Sequence, residues 1–203
     1  MKSLSEIETV SKRASRAAGY SWGICEEVGK NVRLLEMFGL PGIKNLNDYF
    51  DKKKKQKFEN LKLIKAENKS TKFQYCPIIS GTSLLDQIKS LGNLNEIKFE
   101  GIAYPLLFLP FVSRASEIIG KRLLLKLDSN EFLLNFNNNI FSNFINNEII
   151  IIANIVTIQL LENTDSFSEK EWNQLYKLSE ETFVEESDSL KETAAGAGLT
   201  DND

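Results

Sequence analysis

RLLLKLDSNEFLLNFN, residues 122–137, decides the fold class. RLLLKLD alternates in the way a half-buried strand does, and EFLLNFN repeats the pattern after a tight turn near Ser129 and Asn130. The Asn-rich stretch 137–139 reads as a second turn, and an Ile-rich strand follows at 149–161. Together, residues 121–162 predict an antiparallel meander.

Helical signals lie on either side. On the N-terminal side, Ser3 and Glu6 form a capping-box pair, and Leu4, Ile7, Val10, Ala14 and Ala17 recur at helical spacing over 3–18. Gly19 stops that helix, and Ser21 starts a second over 22–38 with Cys25, Val28, Val32 and Leu35 as its buried stripe. Ala14, Ala17, Ala18, Gly23 and Gly29 are small enough for the two helices to approach closely. A short third helix is expected over 46–58, with Tyr49 and Phe50 inward.

KFQYCPII (72–79) and EIKFEGI (96–102) read as strands, with a helix over 84–91 between them. In that reading Ser80 and Gly81 turn the chain and Thr82 or Ser83 caps the helix. Pro110 fits the first turn of a helix running to Ile119 and stopped by Gly120. A final helix begins at Ser168, with Glu171 completing a second capping box, and presents Trp172, Leu175, Tyr176, Ser179 and Phe183. Helices first, strands later and a closing helix predict an α+β fold, not a βαβ repeat. The expected organisation is one α+β domain over 1–186 and a Gly/Asp-containing tail over 187–203.

Composition removes several functions. The apolar fraction of 42% with 13 Phe is ample for a core, and the net charge of -3 argues against a nucleic-acid binder. The KKKK run at 52–55 reads as a solvated helix face. The longest apolar stretches, 102–112 and 149–161, fall short of a membrane span, which needs about 20 residues. Two cysteines and no leader-like segment fit a soluble cytoplasmic protein. With no histidine, a Ser-His-Asp or Cys-His apparatus is excluded within the chain, and the usual zinc ligand is missing.

Three places could carry chemistry. The first is KRASRAAGYSWGICEEVGK (12–30), where Arg13 and Arg16 share a helix face that ends beside the start of the next helix. Arginines beside free helix N–H groups suit a carboxylate or phosphate, with Gly23 giving close backbone approach and Tyr20 and Trp22 as walls. The plain alternative is a clasp of Arg13 or Arg16 with Glu26 or Glu27, with Trp22 as a core anchor. If catalytic, Glu26 or Glu27 would serve as acid or base, but adjacent helical residues point about 100° apart, so only one can face a site. The second place is YCPIISGTS (75–83), with Cys76 as a nucleophile or a small buried hydrophobe and Ser80 and Thr82 as ligand contacts. The third is the tail, where Asp201 and Asp203 could hold a cation or an ammonium group. No metal site and no cofactor are assigned.

LSEIETVSKRASRAAGYSWGICEEVGKNVRLLEMFGLPG (4–42), CPIISGTSLLD (76–86), YPLLFLPFVSRA (104–115) and AGAGLTDND (195–203) resemble segments of a family of uncharacterised bacterial proteins carried as a domain of unknown function. The chain departs from that pattern at RAAGYSWG, where a glycine is expected after the arginine. The resemblance implies no activity, cofactor or catalytic residue, but it marks the same three places and implies that the tail folds back onto the domain. Two functions follow as expectations. One is an enzyme or enzyme subunit binding a small anionic metabolite, such as a carboxylate or amino-acid derivative. The other is a non-catalytic accessory protein, or a homo-oligomer, offering YPLLFLPFV or the Ile-rich strand to a partner.

Overall fold

Ser3 starts the first helix through both halves of a capping box: its Oγ accepts the Glu6 N–H (3.2 Å) and its own N–H donates to Glu6 Oε2 (2.8 Å). The computed structural model describes residues 2–144 and 148–182, and the chain divides into two units, 1–163 and 164–203. In the first unit α1 spans Leu4–Ala17 and α2 spans Trp22–Met37. The stripe Cys25, Val28, Val32 and Leu35 is buried as the spacing predicts. The inward face of α1 differs from the expectation. Ser11 and Ser15 are buried, whereas Leu4 and Val10 are 40% and 64% exposed. Close packing explains this, since a Cβ on Gly29 of α2 would sit 2.8 Å from the Glu8 carbonyl oxygen. Backbones that near leave room for serine but not for valine. The Ser15 hydroxyl is satisfied within its own helix by donating to Ser11 O (2.7 Å).

Helix α3 spans Gly42–Lys53, four residues earlier at its start than expected and ending before 58. It can begin there because Gly42 fits tightly against Leu35, where a Cβ would come within 2.9 Å of the Leu35 Cβ. Tyr49 is fully buried and Phe50 half-buried on its inner side.

The segment 72–79 corrects the sequence reading, for it forms no regular strand. Tyr75 makes single parallel bridges to Glu59 and Ile102, and α4 starts at once, spanning Pro77–Leu91. Proline is favoured at the first helical position because its missing N–H is not needed there. Cys76, not Thr82 or Ser83, is the N-cap, and Ser80 and Gly81 lie inside the helix. Gly81 is required by packing, because a Cβ there would overlap the Phe111 ring of α5, Leu109–Ile119. Gly120 (φ +64°) ends α5 in the left-handed conformation.

The fold is α+β, and in the first unit a six-stranded sheet packs against α5. The strands are β1 (Glu67–Lys69), β2 (Glu96–Ala103), β3 (Arg122–Leu127), β4 (Asn130–Asn135), β5 (Asn139–Ser142) and β6 (Ile152–Leu161). Their order is β1-β2-β6-β3-β4-β5, with β1 parallel to β2 and every other pair antiparallel. The predicted meander holds for β3 to β5, while β6 crosses back to lie between β2 and β3. A ten-residue strand rich in β-branched residues gains partners on both edges in that place. Asp128 fixes the crossing point by accepting the Asn154 and Ile155 N–H groups (3.1 and 2.9 Å). Leu123, Leu125, Leu127, Phe132, Leu134, Val156 and Ile158 form the buried face. The segment Tyr104–Val112 is buried throughout, so it is core and not a face offered to a partner.

In the second unit α6 spans Glu169–Glu180 and carries the expected capping box of Ser168 and Glu171. Trp172, Leu175 and Tyr176 are exposed, and Trp172 stacks on Phe167 with ring centroids 5.5 Å apart. Phe183 and the tail 187–203, with Asp201 and Asp203, lie outside the described residues. Among the described residues no helix is long and apolar enough to cross a membrane.

Candidate functional site

Cys76 is fixed from both directions along the chain. Its N–H donates to Glu59 O (2.8 Å), next to the Tyr75 N–H bonded to Gly101 O of β2 (2.7 Å). Its carbonyl accepts the Ser80 N–H (3.0 Å) as α4 begins. The side chain then caps the helix, Sγ accepting the Ile79 N–H at 3.4 Å. A sulfur so placed sits at the partially positive end of a 15-residue helix.

Two tyrosine hydroxyls converge on that sulfur. Tyr49 Oη lies 3.0 Å from Sγ, and Tyr20 Oη lies 2.9 Å from Tyr49 Oη and 3.7 Å from Sγ. Tyr20 is set by the α1–α2 turn. Gly19 takes φ +94°, the Tyr20 N–H donates to Ser15 O (3.2 Å), and Arg16 Nη1 donates to Tyr20 O (2.9 Å). Tyr49 is packed edge-on against Tyr104, with centroids 5.6 Å apart. Tyr104 itself is a left-handed non-glycine residue (φ +46°), a conformation that costs roughly 1–2 kcal/mol. Its hydroxyl donates to Asp48 Oδ2 at 2.6 Å, which ties the strained residue to α3 beside Tyr49. Burial pushes the pKa values of Tyr20 and Tyr49 far above that of an ordinary phenol, and the neighbouring Cys76 adds to the rise. Tyr104 is raised for the same first reason, and next by its hydrogen bond to Asp48. The three hydroxyls therefore remain protonated donors.

This cluster forms one wall of a cleft of about 500 Å³. Lys53, Gln56, Lys57, Phe58 and Asn60 line it as well. Lys53 is held in place, its Nζ donating to Ala18 O (2.9 Å) and lying 4.1 Å from the Tyr20 ring centroid. The lining contains two lysines and no carboxylate.

Of the residues singled out from sequence, Tyr20 and Cys76 meet in this cleft. The other candidates among the described residues are not part of its lining. Arg16 stacks on Trp22, 5.3 Å from the ring centroid, while Arg13 is exposed. Trp22 is 54% exposed and so is not a core anchor. Gly23 has open space around its Cα, with nothing within 4 Å of a Cβ built there. Glu26 and Glu27 diverge as adjacent helical residues must. Glu26 pairs with Lys12 (2.8 Å), whose hydrogen bond and charge hold its carboxyl below the usual range. Glu27 pairs with Arg114 of α5 and with Lys30 (3.4 Å). The clasp across the hairpin is thus made by Lys12 with Glu26 and by Arg33 with Glu8 (3.1 Å), not by Arg13 or Arg16. Thr82 Oγ1 donates to Ile79 O (2.9 Å), and the fully buried Ser80 Oγ has no partner among the described residues.

Sequence reading passed over Tyr49 and Lys53 as functional residues. Their spacing of four places them on one face of α3, a signal obscured because Lys53 itself belongs to the lysine run at 52–55. Among the described residues no three carboxylate or thiol side chains gather as metal ligands would.

Residues 2–75 match the model of a family described as protein of unknown function (DUF3726). The resemblance to a domain of unknown function holds over that range, which carries Tyr20, Tyr49, Lys53 and Lys57 and ends one residue before Cys76. No curated protein and no solved structure matches the chain.

Proposed function

We propose that the cleft beside Cys76 binds a small anionic metabolite, with a carboxylate as the recognised group. The observation that carries this reading is the charge of the lining, where Lys53 and Lys57 face a space of about 500 Å³ without an opposing acid. That volume is ordinary for a small-molecule site. Gln56 and Asn60 supply neutral polar contacts, and Ile24, Phe58 and Ile79 supply apolar wall. In this reading Arg16 serves the site indirectly, by holding the Tyr20 carbonyl and so the Tyr20 ring. An enzyme or the binding subunit of one fits such a site.

A thermal-shift series of mono- and dicarboxylates against chloride at equal ionic strength tests the proposal. A carboxylate at a hundred times its Kd stabilises by about 2.7 kcal/mol. The shift should shrink in Lys57→Gln and in Lys53→Gln. No carboxylate-specific shift in the parent protein would overturn the reading. A second reading, an accessory protein engaged through α6, is supported by the exposed Trp172, Leu175 and Tyr176 on one helical face.

A further inference from the structure

We infer that Cys76 is the nucleophile of this cleft and that its reaction partner is a small carboxylate carrying an electrophilic carbon with a leaving group. The inference rests on the anion-binding reading and goes beyond it to a covalent step.

Among the cleft residues the sulfur is the nucleophile best provided for. Negative charge developing on Sγ faces the Ile79 N–H at 3.4 Å and the Tyr49 hydroxyl at 3.0 Å, with Tyr20 at 3.7 Å. The N-terminal end of α4 adds its partial positive charge. The lining also holds the Ser21, Tyr20 and Tyr49 hydroxyls, which are weaker nucleophiles than a thiol, and lysines, of which Lys53 has its amine bonded to Ala18 O and set over the Tyr20 ring. Lys53 and Lys57 instead favour a carboxylate on the incoming molecule.

The step balances without a redox partner. The sulfur lone pair forms a C–S bond to the electrophilic carbon, and the bond to the leaving group breaks with its electron pair. The thiol proton passes to solvent in the cleft, since the chain has no histidine to take it. Cys25 provides the internal contrast. Both thiols are buried, at 0% and 2% exposure, so the contrast lies in position: Cys25 Sγ donates to Tyr20 O (3.5 Å) and is not part of the cleft lining, whereas Cys76 is.

Iodoacetate and iodoacetamide, which deliver the same carbon with and without a carboxylate, test the inference on the intact folded chain. Adducts at Cys76 and Cys25 are timed by peptide mass spectrometry, with the urea-unfolded chain giving each thiol's intrinsic reagent preference. The expected result is alkylation of Cys76 well ahead of Cys25, with an iodoacetate-to-iodoacetamide rate ratio about tenfold above the unfolded value. A Lys53→Gln/Lys57→Gln variant, shown folded by circular dichroism, should return to the unfolded ratio. Reaction of Cys76 no faster than Cys25, or with the unfolded ratio, overturns the inference. The two readings fail separately. A Cys76→Ser protein that keeps its carboxylate thermal shift, beside a parent whose Cys76 resists iodoacetate, leaves a binding site without the nucleophile. A parent with no carboxylate shift removes the binding site itself.

Discussion

The Tyr49 hydroxyl lies 3.0 Å from the Cys76 sulfur and joins it to Tyr20 in a single buried hydrogen-bonded cluster. Tyr20 comes from the α1–α2 turn, Tyr49 from α3, and the sulfur from a helix cap 27 residues after Tyr49. Removing only the central oxygen isolates its contribution. Tyr49→Phe should destabilise the protein by about 1 kcal/mol in urea denaturation, the usual net value of one buried hydrogen bond. Tyr49→Ala should cost roughly 3–5 kcal/mol, because the packing against Phe58 and Tyr104 goes too. Equal stability of Tyr49→Phe and the parent would show that the cluster contributes nothing net to folding.

Alkaline pH acts on the same cluster with a definite sign. Tyr20, Tyr49 and Tyr104 are all raised above the ordinary tyrosine value, chiefly by burial. In the unfolded chain these phenols lose their protons near pH 10. Below that pH both states are protonated, and the stabilisation is fully present. Above it the unfolded state releases protons that the folded state retains, so stability falls as pH rises. Each such tyrosine contributes a slope of about 1.4 kcal/mol per pH unit in that range. Urea midpoints measured from pH 8 to 11 should be level at first and then fall. The fall should be shallower in Tyr104→Phe.

Gly81 sets how closely α4 and α5 pack. A Cβ at this position overlaps the Phe111 ring, which is itself 1% exposed and has little room to move. Gly81→Ala should therefore destabilise by about 1–3 kcal/mol in spite of alanine's better helix propensity. Combining it with Phe111→Leu should recover part of that loss, and a double-mutant cycle measures the coupling. Additive losses would mean that the two residues do not meet.

These cases show which parts of the fold were legible in the sequence. Caps and stops such as Ser3 with Glu6, Gly120, and Ser168 with Glu171 are local chemistry, and the sequence states them directly. So does the alternation in β3 and β4. Non-local relations were not legible. The placement of β6 between β2 and β3 depends on partners more than 20 residues away. The inward face of α1 depends on the Gly29 contact, which favours Ser11 and Ser15 over the more hydrophobic Val10. The start of α4 was misread because Pro77 suits a strand end and a first helical turn equally well. That ambiguity moves the expected cap from Cys76 to Thr82 or Ser83. Tyr20 and Cys76 both stand out in the sequence, but their meeting is hidden because Tyr49, which joins them, and Lys53, which lines the same cleft, share a helix whose last turn reads as a solvated lysine run.

Ser80 gives the sharpest test of what the α4 cap does. Its Oγ is fully buried and without a partner among the described residues, one helical turn after Cys76. A buried hydroxyl with no hydrogen bond costs stability through lost solvation. Replacing it with hydrogen leaves the Cβ and its packing in place. Ser80→Ala should therefore be neutral or stabilising by up to about 1 kcal/mol, in contrast to the loss expected when a bonded hydroxyl is removed. A loss of more than 1 kcal/mol in thermal or urea unfolding would show that Ser80 Oγ is bonded in solution. If the carboxylate thermal shift also disappeared in Ser80→Ala, the hydroxyl would join the cleft as a ligand contact. An unchanged shift would keep recognition with Lys53 and Lys57.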